Sequence, residues 1–343
     1  MTVLVPHREP DPHDLLLRLA GRLPDELSTE CRRWLSQGLD ADVVQAVQFA
    51  LQAGDIAITT DDAARLRTLL AAAGHDPGAA DAIRVDDTPT RYGAAPVAPA
   101  VLASDPAAVP YTIDLTEPHQ AAFGPDALDD VAVTAVRAAQ ADAVWRGWRF
   151  PPPGQVDPPP RRVYLVLAAW CTAADLASIT ARTQDALLAA GERNPQVEVF
   201  AEVEELPHYQ RHALEFAALL WAAEPARPIR IAPAEPAPPT APAARLDDAE
   251  RDLVLAYLDS GCPLLGEEPS PADAPDDRRV TAWRTDGAWI WTNLAGDDLR
   301  RHDVAPAGPL LAHIREHDHR LADLSYVSVH RALSRLYLHG LAG

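Results

Sequence analysis

Apolar residues recur at three- and four-residue spacing through the first 86 positions, and each run stops at a glycine. The stretches "PHDLLLRLAG", "PDELSTECRRWLSQG", "DADVVQAVQFALQAG" and "TDDAARLRTLLAAAG" read as helices, with the glycine suited to the left-handed position past the last turn. Val43, Val44, Val47, Ala50 and Leu51 give the third of these one apolar stripe. Pro24, Asp40 and Thr60 suit helix starts. The pattern predicts a helical bundle over 1–86.

Periodicity is lost over 87–109, which reads as a linker. It returns over 110–232 as strands alternating with helices. "YTIDL", "RRVYLVLAA" and "QVEVFAEV" have strand character, and "PIRIAP" is a candidate fourth strand. Helices are expected across "DALDDVAVTAVRAAQADAVWRGW", "AADLASITARTQDALLAAG" and "HYQRHALEFAALLWAA". This alternation predicts a small α/β layer with mostly parallel strands. Residues 233–245 are a Pro/Ala linker.

Over 246–343 a helix, "LDDAERDLVLAYLDSG", opens at Asp247 or Asp248, and an acidic proline-containing loop follows. A hairpin, "RVTAWRTDGAWIWT", turns at Asp286–Gly287, and further helices close the segment. The fold class expected is α+β and multidomain, in three parts: helical bundle, α/β layer, and hairpin plus helices. In a two-residue hairpin register Arg284 faces Trp289 and Ala282 faces Trp291, while Trp283 and Ile290 share the other face. Trp283, Arg284, Trp289 and Trp291 are therefore the candidate partner-binding residues, since Trp and Arg are favoured interface anchors.

Charge removes several functions. The formal net charge is −20, and every one of the 30 basic residues is arginine. Without lysine there is no P-loop lysine, no pyridoxal-phosphate Schiff base and no lysine nucleophile. The acidic excess is spread evenly: 15 acids against 8 arginines over 1–88, 16 against 8 over 107–225, and 17 against 10 over 247–343. No segment offers a basic face, so direct nucleic-acid binding is not expected. A basic protein partner would be steered by such a surface.

The N-terminus lacks a basic start followed by an apolar run, so no signal peptide is expected. No stretch reaches the roughly 20 apolar residues of a membrane span. Cys31, Cys171 and Cys262 are odd in number and widely spaced, which fits a reducing cytoplasm.

Candidate chemistry is sparse. His313 and His317 stand at i and i+4 beside Glu316, a spacing that lets two imidazoles share a metal. Arg315 and Arg320 interleave with them, which favours a solvated helix face. At the α/β layer, Trp170 and Cys171 follow one strand, and Glu204, Glu205 and His208 follow the next, where open sheets gather ligands. Cys171 and His208 could act as nucleophile and base. No glycine-rich turn and no G-x-S-x-G elbow follows a strand, so no cofactor is expected.

"RRVYLVLAA…PQVEVFAEVEELPHYQRHALEFAALLWA" and "WRTDGAWIWTNLAGDDLRRHDVAPAGPLLAHI" resemble segments of large uncharacterised actinobacterial protein families, over about a third of the chain. The second resembles a C-terminal module found near polymorphic-toxin genes, which implies an immunity or partner-binding role. The expectation is a non-enzymatic interaction protein, of immunity or adaptor kind, that binds a basic protein such as a toxin. The alternative is a hydrolase or transferase acting through Cys171, His208 and Glu205 at the sheet edge, or through a metal at His313 and His317.

Overall fold

The computed structural model describes residues 10–88, 91–152, 159–233, 246–266, 280 and 282–340. Its contacts divide the chain into two units, Met1–Glu224 and Pro225–Gly343, and the class is α+β. Among the described residues no helix is long and apolar enough to cross a membrane.

The first unit opens with α1 (Pro12–Arg18), α2 (Asp25–Ser36), α3 (Asp40–Ala53) and α4 (Thr60–Ala72). Asp11 and Thr59 cap α1 and α4 by accepting the N–H groups of Asp14 and Asp62. Leu15, Val43, Val47, Leu51 and Leu66 close the interior between the helices. These helices do not form the separate bundle expected over 1–86. The buried residues of α2 include Asp25, Ser28, Thr29 and Arg32. They sit at helical spacing on a polar stripe that periodicity assigns to solvent, and that stripe meets the sheet.

The sheet has the order β2 (Ile113–Asp114), β6 (Ala218–Ala222), β3 (Ala143–Phe150), β4 (Arg161–Leu167), β5 (Gln196–Phe200), with β1 (Gly93–Ala95) also on β3. β4–β5 and β2–β6 are parallel; β3 runs antiparallel to β1, β4 and β6, so the layer is mixed. Its helices are α5 (Pro99–Ser104), α6 (Ala127–Ala138), α7 (Ala173–Ala189) and α8 (His208–Glu215).

Two strands, β3 and β6, lie where helices are expected. Val144, Trp145 and Arg146 are consecutive and all buried, so β3 shows no polar–apolar alternation for a sequence reading to catch. Arg146 is tolerated there because its guanidinium reaches Asp129 and the carbonyls of Pro96 and Phe123. Within the linker expected over 87–109, residues 93–97 are packed into the fold. β1 pairs through its backbone, and Val97 is buried with Ile113 and Phe123, neither of which requires a repeating pattern.

β5 is an edge strand, and α1 and α2 cover it. His13 Nε2 lies 2.8 Å from the Val199 carbonyl, and Gln196 Nε2 donates to the Asp25 carbonyl at 3.2 Å. Asp25 binds Arg149 through both oxygens, at 2.6 and 2.9 Å. Buried Arg32 approaches buried Glu198 to 3.6 Å, and Gln210 donates to the other Glu198 oxygen at 2.7 Å. Burial pushes the Glu198 carboxyl up, against the opposing pull of Arg32.

The second unit contains β7 (Arg230–Ile231), α9 (Asp248–Ser260), β8 (Cys262–Gly266), β9 (Ala282–Thr285), β10 (Trp289–Thr292), α10 (Asn293–His302), α11 (Gly308–Glu316) and α12 (Tyr326–Leu338). The sheet order is β7-β10-β9-β8. "PIRIAP" thus supplies a strand to this sheet, parallel to β10, and not to the α/β layer. The linker expected over 233–245 lies, apart from Pro233, outside the described residues.

Candidate functional site

The hairpin turns at Asp286–Gly287, but in a different register from the two-residue one. Arg284 faces Trp291, Trp283 faces Thr292 and Thr285 faces Ile290. Asp286 causes the shift. Its Oδ1 accepts the N–H groups of Ala288 (2.9 Å) and Trp289 (2.7 Å), drawing four residues into the turn. A shift of two keeps every side chain on its expected face.

Neither face is open. Trp283, Trp289 and Trp291 are 9%, 7% and 1% exposed. Trp289 and Trp291 pack with Tyr257, Leu258, Leu299 and Ile314, and Trp283 packs with Ile290, Ala332 and Leu336. Trp291 Nε1 donates to the Leu258 carbonyl at 3.2 Å, and Arg284 Nη1 donates to that of Gly261 at 2.7 Å. Gly261 is required here: a Cβ would fall 2.3 Å from the Trp291 ring. Of the hairpin residues expected to dock a partner, Trp283, Trp289 and Trp291 are core residues of the second unit and Arg284 is half-buried, which corrects the expectation of an open tryptophan face.

The histidines also serve the fold. His313 Nε2 lies 2.8 Å from Asp286 Oδ2, and the Tyr257 hydroxyl donates to the same oxygen at 2.5 Å. The His317 ring packs at a tilt against that of His313, with centroids 4.2 Å apart, and its Nδ1 lies 2.9 Å from the His313 carbonyl oxygen. His319 and Arg315 both turn to Glu250. Among the described residues no group of three or more His, Cys, Asp or Glu side chains could hold a metal ion.

The nucleophile and base expected in the first unit are not assembled. Cys171 packs against the apolar cluster of Val144, Leu176 and Val199. Burial pushes its thiol up, and Asp175 and Asp142 push it further, the reverse of what a nucleophile needs. His208 stacks loosely on His212, 6.1 Å between centroids, and Glu205 is exposed. Among the described residues no hydrogen bond or ion pair joins Cys171 to either.

The residue the structure singles out is the one before Cys171. Trp170 is 100% exposed, and its φ of 65° lies in the left-handed region that bulky side chains avoid. The turn that displays it is fixed on both sides. On one side, Asp142 Oδ2 accepts the Ala169 N–H at 2.7 Å. On the other, Thr172 and Asp175 form a capping box on α7, each side chain accepting the other's N–H.

This turn stands where β4 and β5 end. Leu167 pairs with both Ala143 and Phe200, and Ala168 N–H donates to the Phe200 carbonyl at 2.9 Å. The chain leaving these strands, 168–175 and 201–207, carries exposed Asp175, Glu202, Glu204 and Glu205 and no arginine. The site is thus a solvent-exposed indole beside an acidic rim. No protein-family model, curated protein or solved structure matches this chain.

Proposed function

We propose that this chain is a protein-binding protein, of adaptor or immunity kind, that captures a basic partner at the end of β4 and β5 with Trp170 as its anchor. The observation that carries this reading is the geometry at Trp170. A fully exposed indole gains nothing from the fold, and holding a non-glycine residue in the left-handed region costs about 1–3 kcal/mol. Such a conformation persists because Asp142 and the capping box over-determine the turn, an arrangement common at ligand and partner sites. Tryptophan is the side chain most enriched among interface residues that dominate binding energy. The four exposed carboxylates on the chain leaving β4 and β5 and a net charge of −20 favour association with a positively charged surface.

The test begins with capture from host extract on the full chain and on Trp170→Ala in parallel, followed by calorimetry with the protein retained. The retained protein should carry an excess of Lys and Arg and bind Trp170→Ala at least about 2 kcal/mol more weakly. Association should slow as salt rises, because the field is screened within about 10 Å at 0.1 M. Equal capture by wild type and Trp170→Ala, or turnover of a small substrate by the isolated chain, rejects it.

A further inference from the structure

The first unit holds a cavity of about 230 Å³ where the chain after α1 meets the first turns of α4 and α8. Pockets for drug-sized ligands measure roughly 300–1,000 Å³, so this one suits a small metabolite. Its walls are charged and aromatic, and most of the charge is already committed. Asp61 is paired with Arg18 and Arg65, and Asp87 accepts the Thr60 N–H and hydroxyl at 2.7 and 2.8 Å. Arg18 donates to Asp14 and Asp61.

Two wall residues retain capacity. Asp62 is 3% exposed, yet neither oxygen of its carboxylate accepts a hydrogen bond from a described residue. The cation beside it, Arg18 Nη1, stands 3.6 Å away and is engaged with Asp61. Buried carboxylates normally accept several hydrogen bonds, and going without them is costly. Arg22 is the converse. Its one hydrogen bond is from Nη1 to the Ala57 carbonyl at 3.3 Å, and no carboxylate among the described residues hydrogen-bonds it or lies within ion-pair distance, Asp86 acting on it only from farther off. In the same lining Tyr92 and Tyr209 meet edge-on, 5.7 Å between centroids. Tyr92 is locked by its hydroxyl on the Gly21 carbonyl at 2.6 Å.

We propose that this cavity is a binding site for a small zwitterion of the α-amino-acid type. Asp62 takes its ammonium group, Arg22 takes its carboxylate, and the tyrosine pair receives the side chain. An acid that accepts no hydrogen bond and a base without a close carboxylate, both lining one cavity, match a ligand that carries both charges. A simple amine or a simple carboxylate satisfies only one of them. This site is separate from the reading of Trp170, and its test involves no protein partner.

The test is calorimetry on the full chain with the common L-α-amino acids at about 5 mM, with ethylamine and acetate as single-charge probes. At least one amino acid should bind, and ethylamine and acetate should bind about tenfold more weakly or worse. Asp62→Asn and Arg22→Gln should each weaken that binding about tenfold or more, since a hydrogen bond to a charged group is lost. Asp297→Asn in the second unit should leave it unchanged. Circular dichroism checks that each variant is folded; if Asp62→Asn is not, Arg22→Gln decides. No heat from any amino acid, binding indifferent to Arg22→Gln, or acetate and ethylamine binding as tightly as the amino acids overturns the proposal.

Discussion

Asp286, at the tip of the second unit's hairpin, holds His313 of α11 at 2.8 Å through the same oxygen that accepts the Tyr257 hydroxyl of α9. With its other oxygen on two backbone N–H groups, this one carboxylate ties the turn to two helices. Replacing it by alanine leaves all four groups without their partner in a nearly closed site. Asp286→Ala should therefore lower the stability of the second unit by about 3 kcal/mol or more, and Asp286→Asn by less. Urea unfolding followed through the tryptophan near-UV signal measures this. A midpoint unchanged in Asp286→Ala would show that the carboxylate is not the tie described.

Alkaline pH should expose the tyrosines in two classes. Burial pushes the Tyr164, Tyr209 and Tyr257 hydroxyls up; Asp129, Glu198 and Asp286 respectively push in the same direction. A hydroxyl whose folded value lies above its unfolded one contributes stability that is complete below about pH 10, the unfolded value. That stability is lost as pH rises beyond it. Ultraviolet titration should show fewer than the 7 tyrosines ionising near pH 10, with the remainder appearing only as the near-UV signal collapses. Ionisation of all 7 with one midpoint in the folded protein would contradict these environments.

Thiol labelling tests the catalytic alternative. Burial pushes the Cys31 thiol up to about 12, and Cys171 is also raised. At pH 8 Cys31 should react only after unfolding, and Cys171 should react more slowly than a free thiol, because the thiolate is the reactive form. Alkylation at Cys171 faster than at free cysteine would restore it as a nucleophile.

The sequence disclosed most where the controlling interaction is local. Asp247 opens α9 by accepting the Glu250 N–H three residues on, and the Asp286–Gly287 turn is set by residues within the turn itself. The helices of the first 86 residues were legible from their stripes, yet their separation from the sheet was not. Arg32 and Thr29 look like solvent residues until Gln196 and Glu198, over 160 positions away, are placed beside them. β3 is hidden because a strand covered on both faces loses its alternation, and β6 because all five of its residues are apolar. For the hairpin tryptophans, a strand pattern gives faces without saying what covers them. Trp170 could be placed after β4 from sequence. Its display depends on Asp142, 28 positions earlier in the chain and off the strand, which no local pattern encodes.

The cover that α1 and α2 place on β5 has a consequence for how the protein is made. His13 meets Val199 across 186 positions, and Gln210 donates to Leu17 across 193. At about 5–20 residues per second, a ribosome delivers the first helices roughly 10–40 s before the strand they rest on. During that interval His13, Thr29 and Arg32 lack the partners that β5 and its approach give them in the folded chain. Closing so long a loop is also slow. A chain that stalls or is cut before Gln196 therefore presents a helical segment whose polar face is unpartnered to whatever holdase or protease is nearby.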